Sequence, residues 1–421
     1  MKPTSFHSVQ TIAPDRNLPV SRVAKPGHIL HTENGQSIVL GAQIAGGGEG
    51  HIFKINSPSY VAKVYMPEKT TTHKLAKIQT LIQKGIDFPG ICLPKARLYN
   101  SKDEFVGYIM KKAEGEKVRS LYMKPLFLKK FPSWKKRDLV ELCITILKKI
   151  GYLHKNGIIL GDINPDNILV KSPKDVYFVD CDSYQVDGYP CPVGTIPFTP
   201  PELQNKGHYN SYLRTMGNEN FAVAVLLFSL MVTGQMPYNQ KDGESAQQNI
   251  IDMNFSYPLG EASNKKTPAG QWRFLWSHLP RFMKDAFYNT FNKGGTYSTE
   301  GTRLNSYDWF KKFSEYLRLL DSGKYGEQDE MSEQVYPTRF KKQRGVTYVK
   351  CSQCGEDTDE HIIGKYGICM ECLRKNRLSR YQSSSAPQNK SVYRGTFSRP
   401  ARARTSQNPL ASVWEVLNWF I

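Results

Sequence analysis

The feature that most constrains this chain is a polar loop followed by a short apolar strand that ends in acids. The loop covers residues 160–167 (LGDINPDN), and the strand covers residues 176–179 (VYFV) before Asp180, Cys181 and Asp182. An acid and an amide on one loop, with a further acid after a strand, are typical of a general base beside oxygen ligands for a divalent cation. Asp162 is the predicted base, and Asn167 and Asp180 are the predicted metal ligands.

Composition sets the size and the charge of the molecule. A chain of 421 residues exceeds what one core usually organises, so we expect more than one folded unit. It carries 57 Lys and Arg against 38 Asp and Glu, a net charge of +19. This charge favours acidic partners such as nucleic acid, a nucleotide, anionic lipid or an acidic protein face.

The cysteines and the apolar runs bear on the cellular compartment. Four of the eight cysteines form two CxxC pairs, which favours a metal site in a reducing compartment over a disulfide framework. Residues 1–7 (MKPTSFH) do not resemble a secretory signal. The apolar run at residues 221–232 is too short to cross a bilayer and predicts a buried helix. We therefore expect a cytoplasmic protein with no transmembrane segment.

A glycine-rich turn precedes the loop by about a hundred residues. Residues 37–40 and 51–55 are predicted strands, and the turn between them contains Gly46, Gly47, Gly48 and Gly50. Such a turn brings backbone N–H groups close to phosphate oxygens. An ordinary glycine-rich hairpin is the alternative interpretation.

The next segments supply a lysine and a helix. Lys63 lies in a β-rich run, residues 60–65 (YVAKVY), where its ammonium could hold phosphates; a lysine on an exposed strand face is the alternative. Residues 72–83 have apolar residues at positions 75, 78, 81 and 82, which predicts an amphipathic helix. This helix contains no Glu to pair with Lys63, and only Gln79 or Gln83 could offer a weaker hydrogen bond.

A strand at residues 104–110 leads into a polar connector at residues 111–115. This arrangement predicts that Met110 borders a pocket for a nucleotide base, and that the backbone from Lys111 to Ala113 bonds to the base. Plain core packing of Met110 is compatible with the same pattern. Residues 139–154 have helical apolar spacing, which predicts a helix just before the polar loop at residues 160–167.

Together these segments resemble the eukaryotic-like protein kinase superfamily over roughly residues 37–320, and the loop and DCDS sequences resemble a divergent bacterial Ser/Thr branch. The resemblance implies an α+β, bilobal protein-kinase-like fold with an N-lobe at 37–115 and a C-lobe at 116–320, after an N-terminal extension at 1–36. It implies ATP and Mg²⁺ as cofactors and a protein substrate. Lys63 would pair with the phosphates, Asp162 would accept the hydroxyl proton, and Asn167 and Asp180 would bind Mg²⁺.

The resemblance also covers the glycine turn and residues 194–202 (GTIPFTPPE), which are similar to the end of a kinase activation segment. Gly47 and Gly50 match the second and third glycines of the phosphate loop, with Ala45 in place of the first. Glu202 would form a buried ion pair with Arg303, and Thr195 favours Ser and Thr hydroxyls as acceptors.

Three departures from the family pattern are informative. Leu160-Gly161 stands in place of His-Arg, so control by phosphorylation of the activation segment is less expected. Asn164 replaces a lysine that commonly contacts the γ-phosphate. Asp180-Cys181-Asp182 replaces Asp-Phe-Gly, which predicts a second carboxylate beside the metal.

The C-terminal third begins with a polar linker at 321–345. Within residues 346–378, two CxxC turns place Cys351, Cys354, Cys369 and Cys372 in an arrangement suited to tetrahedral Zn²⁺, and the segment resembles a zinc ribbon. His361, between the pairs, is predicted to be a surface residue. The closed set of four thiolates indicates a structural role rather than catalysis.

The remaining residues, 379–421, are a basic tail with a predicted short helix at its end. Residues 374–408 contain Lys and Arg but no acid, so we expect a mobile segment. It could follow the phosphates of a nucleic acid, or it could serve only as a solubilising tail.

The leading hypothesis is an ATP- and Mg²⁺-dependent Ser/Thr protein kinase whose zinc ribbon contacts a partner or nucleic acid. One alternative is a catalytically weak pseudokinase that acts as a nucleotide-binding scaffold. Another is a nucleic-acid-binding module regulated by its kinase fold. Signalling partners, including a phosphatase, are implied by the resemblance alone.

Overall fold

The computed structural model describes residues 14–21, 23–268, 272–322, 347–355, 357–360, 363, 367–369, 372–373 and 376. These residues fall into two units, one ending at residue 322 and the other beginning at residue 347.

The first unit begins with a seven-stranded antiparallel sheet in the order β2-β1-β6-β7-β5-β4-β3. Its strands are β1 (Ile29–Thr32), β2 (Ser37–Val39), β3 (Gln43–Gly46), β4 (Gly50–Ile55), β5 (Ser57–Tyr65), β6 (Pro94–Tyr99) and β7 (Phe105–Lys111). Helix α1 (Thr72–Gln83) follows β5, and Thr71 caps it by accepting a hydrogen bond from the Lys74 amide. Ile78 and Leu81 of α1 are buried, so the predicted helix and its apolar face are confirmed.

The sheet differs from the sequence prediction at its N-terminal edge. Strand β1 lies within residues 1–36, which were expected to be an extension, and it pairs with both β2 and β6. The strand that enters the glycine turn is β3, whereas residues 37–39 form β2 at the edge of the sheet. The prediction that residues 37–40 lead directly into the turn was therefore wrong.

The helical part of the first unit follows the sheet in the chain. Its helices are α2 (Lys124–Lys130), α3 (Lys136–Lys155), α4 (Met216–Met231), α5 (Ala246–Ile251), α6 (Trp272–His278), α7 (Arg281–Phe291) and α8 (Ser306–Asp321). Short strands β8 (Glu116–Lys117), β10 (Ile168–Val170) and β11 (Val176–Phe178) form one small sheet, and β9 (Ile158–Ile159) and β12 (Gln185–Val186) form another.

Helix α4 is the centre of this helical part. All its residues from Asn218 to Met231 are buried, and Phe228 makes edge contacts with Tyr257, Phe287 and Phe291. The predictions of a buried helix at residues 221–232 and of a helix at residues 139–154 are confirmed by α4 and α3. Among the residues that the structure describes, no helix is long and apolar enough to span a membrane.

The predicted ion pair between Glu202 and Arg303 is present. The guanidinium donates to the two carboxylate oxygens at 2.5 and 2.8 Å, and the Arg303 side chain is 1% exposed. Arg303 holds the pKa of Glu202 below its usual range even though burial acts in the opposite direction. The pair joins the short turn Pro201–Leu203 to the turn before α8.

The second unit contains a hairpin of β13 (Tyr348–Lys350) and β14 (Asp357–Asp359). The sulfur atoms of Cys351, Cys354, Cys369 and Cys372 all lie within 4.8 Å of one another. The Cys369 amide donates to the Cys351 sulfur at 3.2 Å, and the four cysteines form no disulfide. Most of the predicted linker, His361 and the basic tail at 379–421 with its terminal helix lie outside the described residues.

Candidate active site

Helix α4 holds the loop between β9 and β10 in place through Glu219. The carboxylate of Glu219, 1% exposed, accepts hydrogen bonds from the amides of Leu160 at 2.7 Å and Gly161 at 3.0 Å. Because these two residues precede Asp162, the buried carboxylate sets the position of the predicted base.

Asp162 is held by three side chains around its carboxylate. The Thr195 hydroxyl donates to Oδ1 at 3.1 Å, and the Asn164 and Asn167 amides donate to Oδ2 at 2.6 and 3.2 Å. Burial raises the pKa of Asp162 above its ordinary value, although these hydrogen bonds favour the charged form and oppose the shift. A base with a raised pKa and a fixed orientation is suited to taking a proton from an alcohol.

Lys63 lies at the centre of a buried ionic cluster. Its side chain is 7% exposed, and its ammonium donates to Asp180 at 2.5 Å and Asp182 at 2.6 Å. Burial would lower the pKa of Lys63, but the two carboxylates outweigh burial and raise the pKa well above its ordinary value. The two carboxylates therefore favour the charged form of Lys63.

Asp182 is the residue whose role the sequence analysis missed. Its side chain is 1% exposed, and besides Lys63 it accepts hydrogen bonds from the hydroxyls of Tyr65 and Tyr108, each at 2.7 Å. Burial would raise the pKa of Asp182, but the Lys63 ammonium and the two hydroxyls hold the pKa well below its usual range. Asp182 thus supplies the buried acid that helix α1 lacks.

The expected partners of Lys63 on α1 are wrong, because Gln79 and Gln83 are exposed. The only sequence signal for the observed arrangement was the extra acid at position 182. Tyr65 follows Lys63 on the same face of β5, and Tyr108 lies opposite Lys63 in the neighbouring strand β7. The pairing of β5 with β7 is long-range, so the sequence alone could not bring these side chains together.

Asp180 and Asn167 come from adjacent pieces of chain. The Val179 amide donates to the Asn167 carbonyl at 3.0 Å, which brings the predicted amide ligand beside the end of β11. Asp180 itself has φ of 61°, and oxygen atoms of Asp180, Asp182 and Glu49 lie within 4.8 Å of one another. These hard oxygen donors fit a small divalent cation such as Mg²⁺.

The glycine turn between β3 and β4 has an open tip. A Cβ at Gly47 or Gly48 would meet nothing within 4 Å, whereas one at Gly50 would lie 2.3 Å from the Val64 carbonyl. Gly50 therefore permits close packing of β4 on β5, and the open tip leaves Gly47 and Gly48 accessible to a ligand. Gly46 begins the turn at the end of β3.

The tip is also tied to α1. Glu49 in the turn forms an ion pair with Lys74 of α1 at 3.2 Å. The same ammonium lies 4.5 Å from the centre of the Tyr65 ring.

The end of β7 carries the predicted contacts to a nucleotide base. Met110 is 6% exposed and packs in one apolar cluster with Val61 and Tyr108, so its core-packing role is confirmed. The Lys112 amide already donates to the Ser59 carbonyl at 2.8 Å. Lys111 and Ala113 flank this bonded amide, and their contact with a base stays a prediction.

Known proteins match this chain over the same region. The pattern of the protein kinase domain matches residues 56–290. Protein kinase YegI of Escherichia coli O157:H7 is 25% identical over 287 residues, covering 65% of this chain and 44% of the relative. Serine/threonine-protein kinase VRK2 of Homo sapiens is 26% identical over 267 residues, covering 54% of this chain and 50% of the relative.

This chain therefore spans half or less of the length of these curated relatives. The match to the domain pattern covers more than half of this chain and includes Lys63, Asp162, Asn167 and Asp180. The chain belongs to the protein kinase domain family.

Proposed function

We propose that this chain is an ATP- and Mg²⁺-dependent protein kinase that transfers the γ-phosphate to Ser and Thr hydroxyls. The observation that carries the proposal is the convergence of two groups of side chains. In one group Lys63 forms ion pairs with Asp180 and Asp182, and in the other Asp162 accepts a hydrogen bond from Asn167. A backbone hydrogen bond between Val179 and Asn167 joins the two groups.

Each group has one task in this reaction. The Lys63 ammonium and the Gly48 amide bind the phosphates, since the Gly47 amide already donates to the Gly50 carbonyl at 3.0 Å. Asn167 and Asp180 would hold Mg²⁺, which neutralises phosphate charge when bound. Asp162 accepts the proton of the acceptor hydroxyl. The hydroxyl oxygen then forms a bond to the γ-phosphorus, the bond from phosphorus to the bridging oxygen breaks, and ADP leaves.

Asp182 supports a catalytic function over a purely scaffolding one. The non-catalytic alternative was motivated by the absence of a Glu on α1 that could pair with Lys63. Asp182 provides that pairing at 2.6 Å from a fully buried position. The cation is thereby positioned without an acid from α1.

Acceptor specificity is supported by Thr195 and by the relatives. The Thr195 hydroxyl donates a hydrogen bond to Asp162, the proposed base, at 3.1 Å. It therefore lies where the hydroxyl that receives the phosphate must approach. Relatives such as VRK2 are named serine/threonine-protein kinases. We include Ser and Thr side chains in the proposal on these two grounds.

We also propose that the second unit binds Zn²⁺ through Cys351, Cys354, Cys369 and Cys372. Three of the four side chains are buried, and all four sulfurs are close enough to share one ion. A structural zinc would let a segment of this size fold without a large core. Contacts of this unit and of the basic tail with nucleic acid, and a phosphatase partner, stay predictions from the sequence.

The experiment is incubation of the purified chain with γ-labelled ATP, Mg²⁺ and a mixture of protein substrates. Mass spectrometry then identifies the side chains that carry phosphate. The proposal expects phosphoserine and phosphothreonine, with none in the Asp162→Ala variant. Binding of ATP without transfer to any substrate or to the chain itself would favour the scaffolding alternative.

A further inference from the structure

Two buried basic side chains hold the segment that connects Asp182 to Thr195. Lys77 on α1 is 2% exposed, and Arg214, just before α4, is 7% exposed. Their hydrogen-bond acceptors are four main-chain carbonyl oxygens of this segment: those of Ser183, Pro190, Cys191 and Val193.

Arg214 is bound on all sides. Its guanidinium donates to the carbonyls of Cys191 at 3.1 Å and Val193 at 2.7 Å, and it lies 5.0 Å from the centre of the Tyr209 ring. Its backbone is fixed by Gln185, which both accepts from the Arg214 amide and donates to the Arg214 carbonyl at 2.7 Å. These contacts hold the guanidinium beside the segment.

That position explains Gly161, the residue before the base. Gly161 has φ of +73°, and a Cβ there would lie 2.7 Å from Nη1 of Arg214 and 2.4 Å from Cβ of Cys191. The cavity between Gly161, Thr195 and Arg214 is about 10 Å³, roughly the space for one water. A guanidinium from a distant part of the chain thus occupies the space beside the base loop, and no room remains there for a phosphate group.

Lys77 holds the same segment from helix α1. Its ammonium donates to the carbonyls of Ser183 at 2.9 Å and Pro190 at 3.2 Å. Helix α1 therefore contacts the segment through Lys77, whose pKa burial lowers to about 8, while the acid that binds Lys63 comes from the segment itself at Asp182. The family resemblance implied an acid on α1 as the partner of Lys63, so the source of the acid differs from that arrangement.

The hydroxyl side chains of residues 183–199 are already engaged. Ser183 donates to the Asp180 carbonyl, Thr195 to Asp162 and Thr199 to the Thr195 carbonyl. Tyr184 is buried, and Tyr189 packs against His73 with ring centres 5.4 Å apart. Phosphorylation of these groups would break contacts that hold the segment in place.

We propose that Arg214 and Lys77 are positioning residues that hold the segment in its working conformation through backbone carbonyls, so that phosphate transfer requires no phosphorylation of that segment. This inference rests on the proposed kinase function. A buried guanidinium needs hydrogen-bond acceptors, and here the carbonyls satisfy a demand that a phosphate could otherwise meet. Arg214 and Lys77 hold the segment that carries Thr195 and thereby align Asp162, without contacting the nucleotide.

The first test uses the full wild-type chain, treated with a protein phosphatase until mass spectrometry detects no phosphate on residues 183–199. The phosphatase is then removed, and transfer from γ-labelled ATP is measured in a single turnover. The inference expects the same rate before and after treatment. A rate that falls with dephosphorylation and returns with rephosphorylation overturns it, whereas no transfer by either sample refutes the proposed kinase function instead.

The second test compares Arg214→Ala and Lys77→Met with two exposed controls, Arg281→Ala and Lys69→Met. The inference expects kcat to fall by about tenfold or more in the first two variants, because the base loses its fixed alignment. The KM for ATP should stay within about twofold of the wild type, and the controls should match the wild type.

Chemical rescue separates positioning from stability. Added methylguanidinium should restore part of the kcat of Arg214→Ala, while a compound of the same size without charge should not. An unchanged kcat in folded Arg214→Ala would refute the positioning role. If that variant fails to fold, Arg214→Lys provides the same comparison, and the phosphatase test decides the inference independently.

Discussion

Lys63 and Asp182 form the ion pair on which the geometry of the candidate site depends. Both side chains are removed from water, and three hydrogen bonds converge on one carboxylate. A buried ion pair is costly to break, because the remaining charge stays buried without its partner. The two tyrosines make the site specific for Asp, since an amide could not accept as many hydrogen bonds in its place.

We expect Asp182→Asn to lower the free energy of unfolding by about 3 kcal/mol, the usual size for loss of one partner in a buried pair. Urea unfolding of the full chain measures this change. The matched control is Asp187→Asn, because Asp187 forms a pair with Lys84 at 3.1 Å but its side chain is 53% exposed. The control should cost less than about 1 kcal/mol. Equal losses in both variants would show that Asp182 is not specially placed.

The pKa of Asp162 predicts the pH dependence of transfer. The base must be ionised to accept a proton, so kcat should fall as the pH drops through its pKa, and burial places that pKa above its ordinary value. The Thr195 hydroxyl favours the charged form. Thr195→Val should therefore move the acid limb of the kcat profile to higher pH. An acid limb that stays fixed or moves lower would exclude this assignment of the limb to Asp162.

At the scale of secondary-structure elements, the loop before Asp162 shows how one glycine is required by its neighbours. Gly161 and Gly157 both have positive φ, at +73° and +70°. A Cβ at Gly157 would meet nothing within 4 Å, whereas one at Gly161 would clash with Cys191 and Arg214. The two positions share the backbone conformation and differ in the space around them.

Gly157→Ala should cost about 1–2 kcal/mol of stability, from backbone strain alone. Gly161→Ala should cost more, and its kcat should fall by about tenfold or more because the base loop must move. Thermal unfolding and single-turnover rates of the two variants measure this difference. Equal effects of the two substitutions would contradict the described packing around Arg214.

Elements with one buried face could be predicted from the sequence. Helix α1 begins and ends at the predicted residues because its apolar spacing and the Thr71 cap are local signals. Asp162 and Asn167 could be singled out as candidates because they lie within one short stretch of chain, and their roles in transfer stay predictions. The strand before the glycine turn was placed wrongly, since β2 and β3 are both short and either could pair with a neighbour.

The missed roles depend on contacts between distant residues. Asp182 was predicted to lie beside the metal because it neighbours Asp180, yet its position is set by Tyr65 and Tyr108 on two strands. Arg214 gives no local signal, because its acceptors are carbonyl oxygens that every residue carries. Sequence spacing therefore singled out the side chains of the candidate site and not the residues that hold them in place.

At the scale of the whole molecule, the second unit brings four cysteine sulfurs together, and we proposed them as a zinc site. Elemental analysis of the purified chain should find one zinc per molecule. Cys369→Ser should lose most of the metal, because three thiolates bind it more weakly than four. Cys143→Ala, in the buried core of α3, should retain the metal in full. Equal zinc content in both variants would exclude the cysteine cluster as the site.

The central claim is that Asp162 and the cluster around Lys63 form one site for phosphate transfer. Single-turnover transfer from γ-labelled ATP with Mg²⁺, measured together with ATP binding in the same samples, tests this most directly. The account predicts transfer by the wild type and none by Asp162→Ala, with equal ATP binding by both proteins. Transfer at the wild-type rate by folded Asp162→Ala would contradict it.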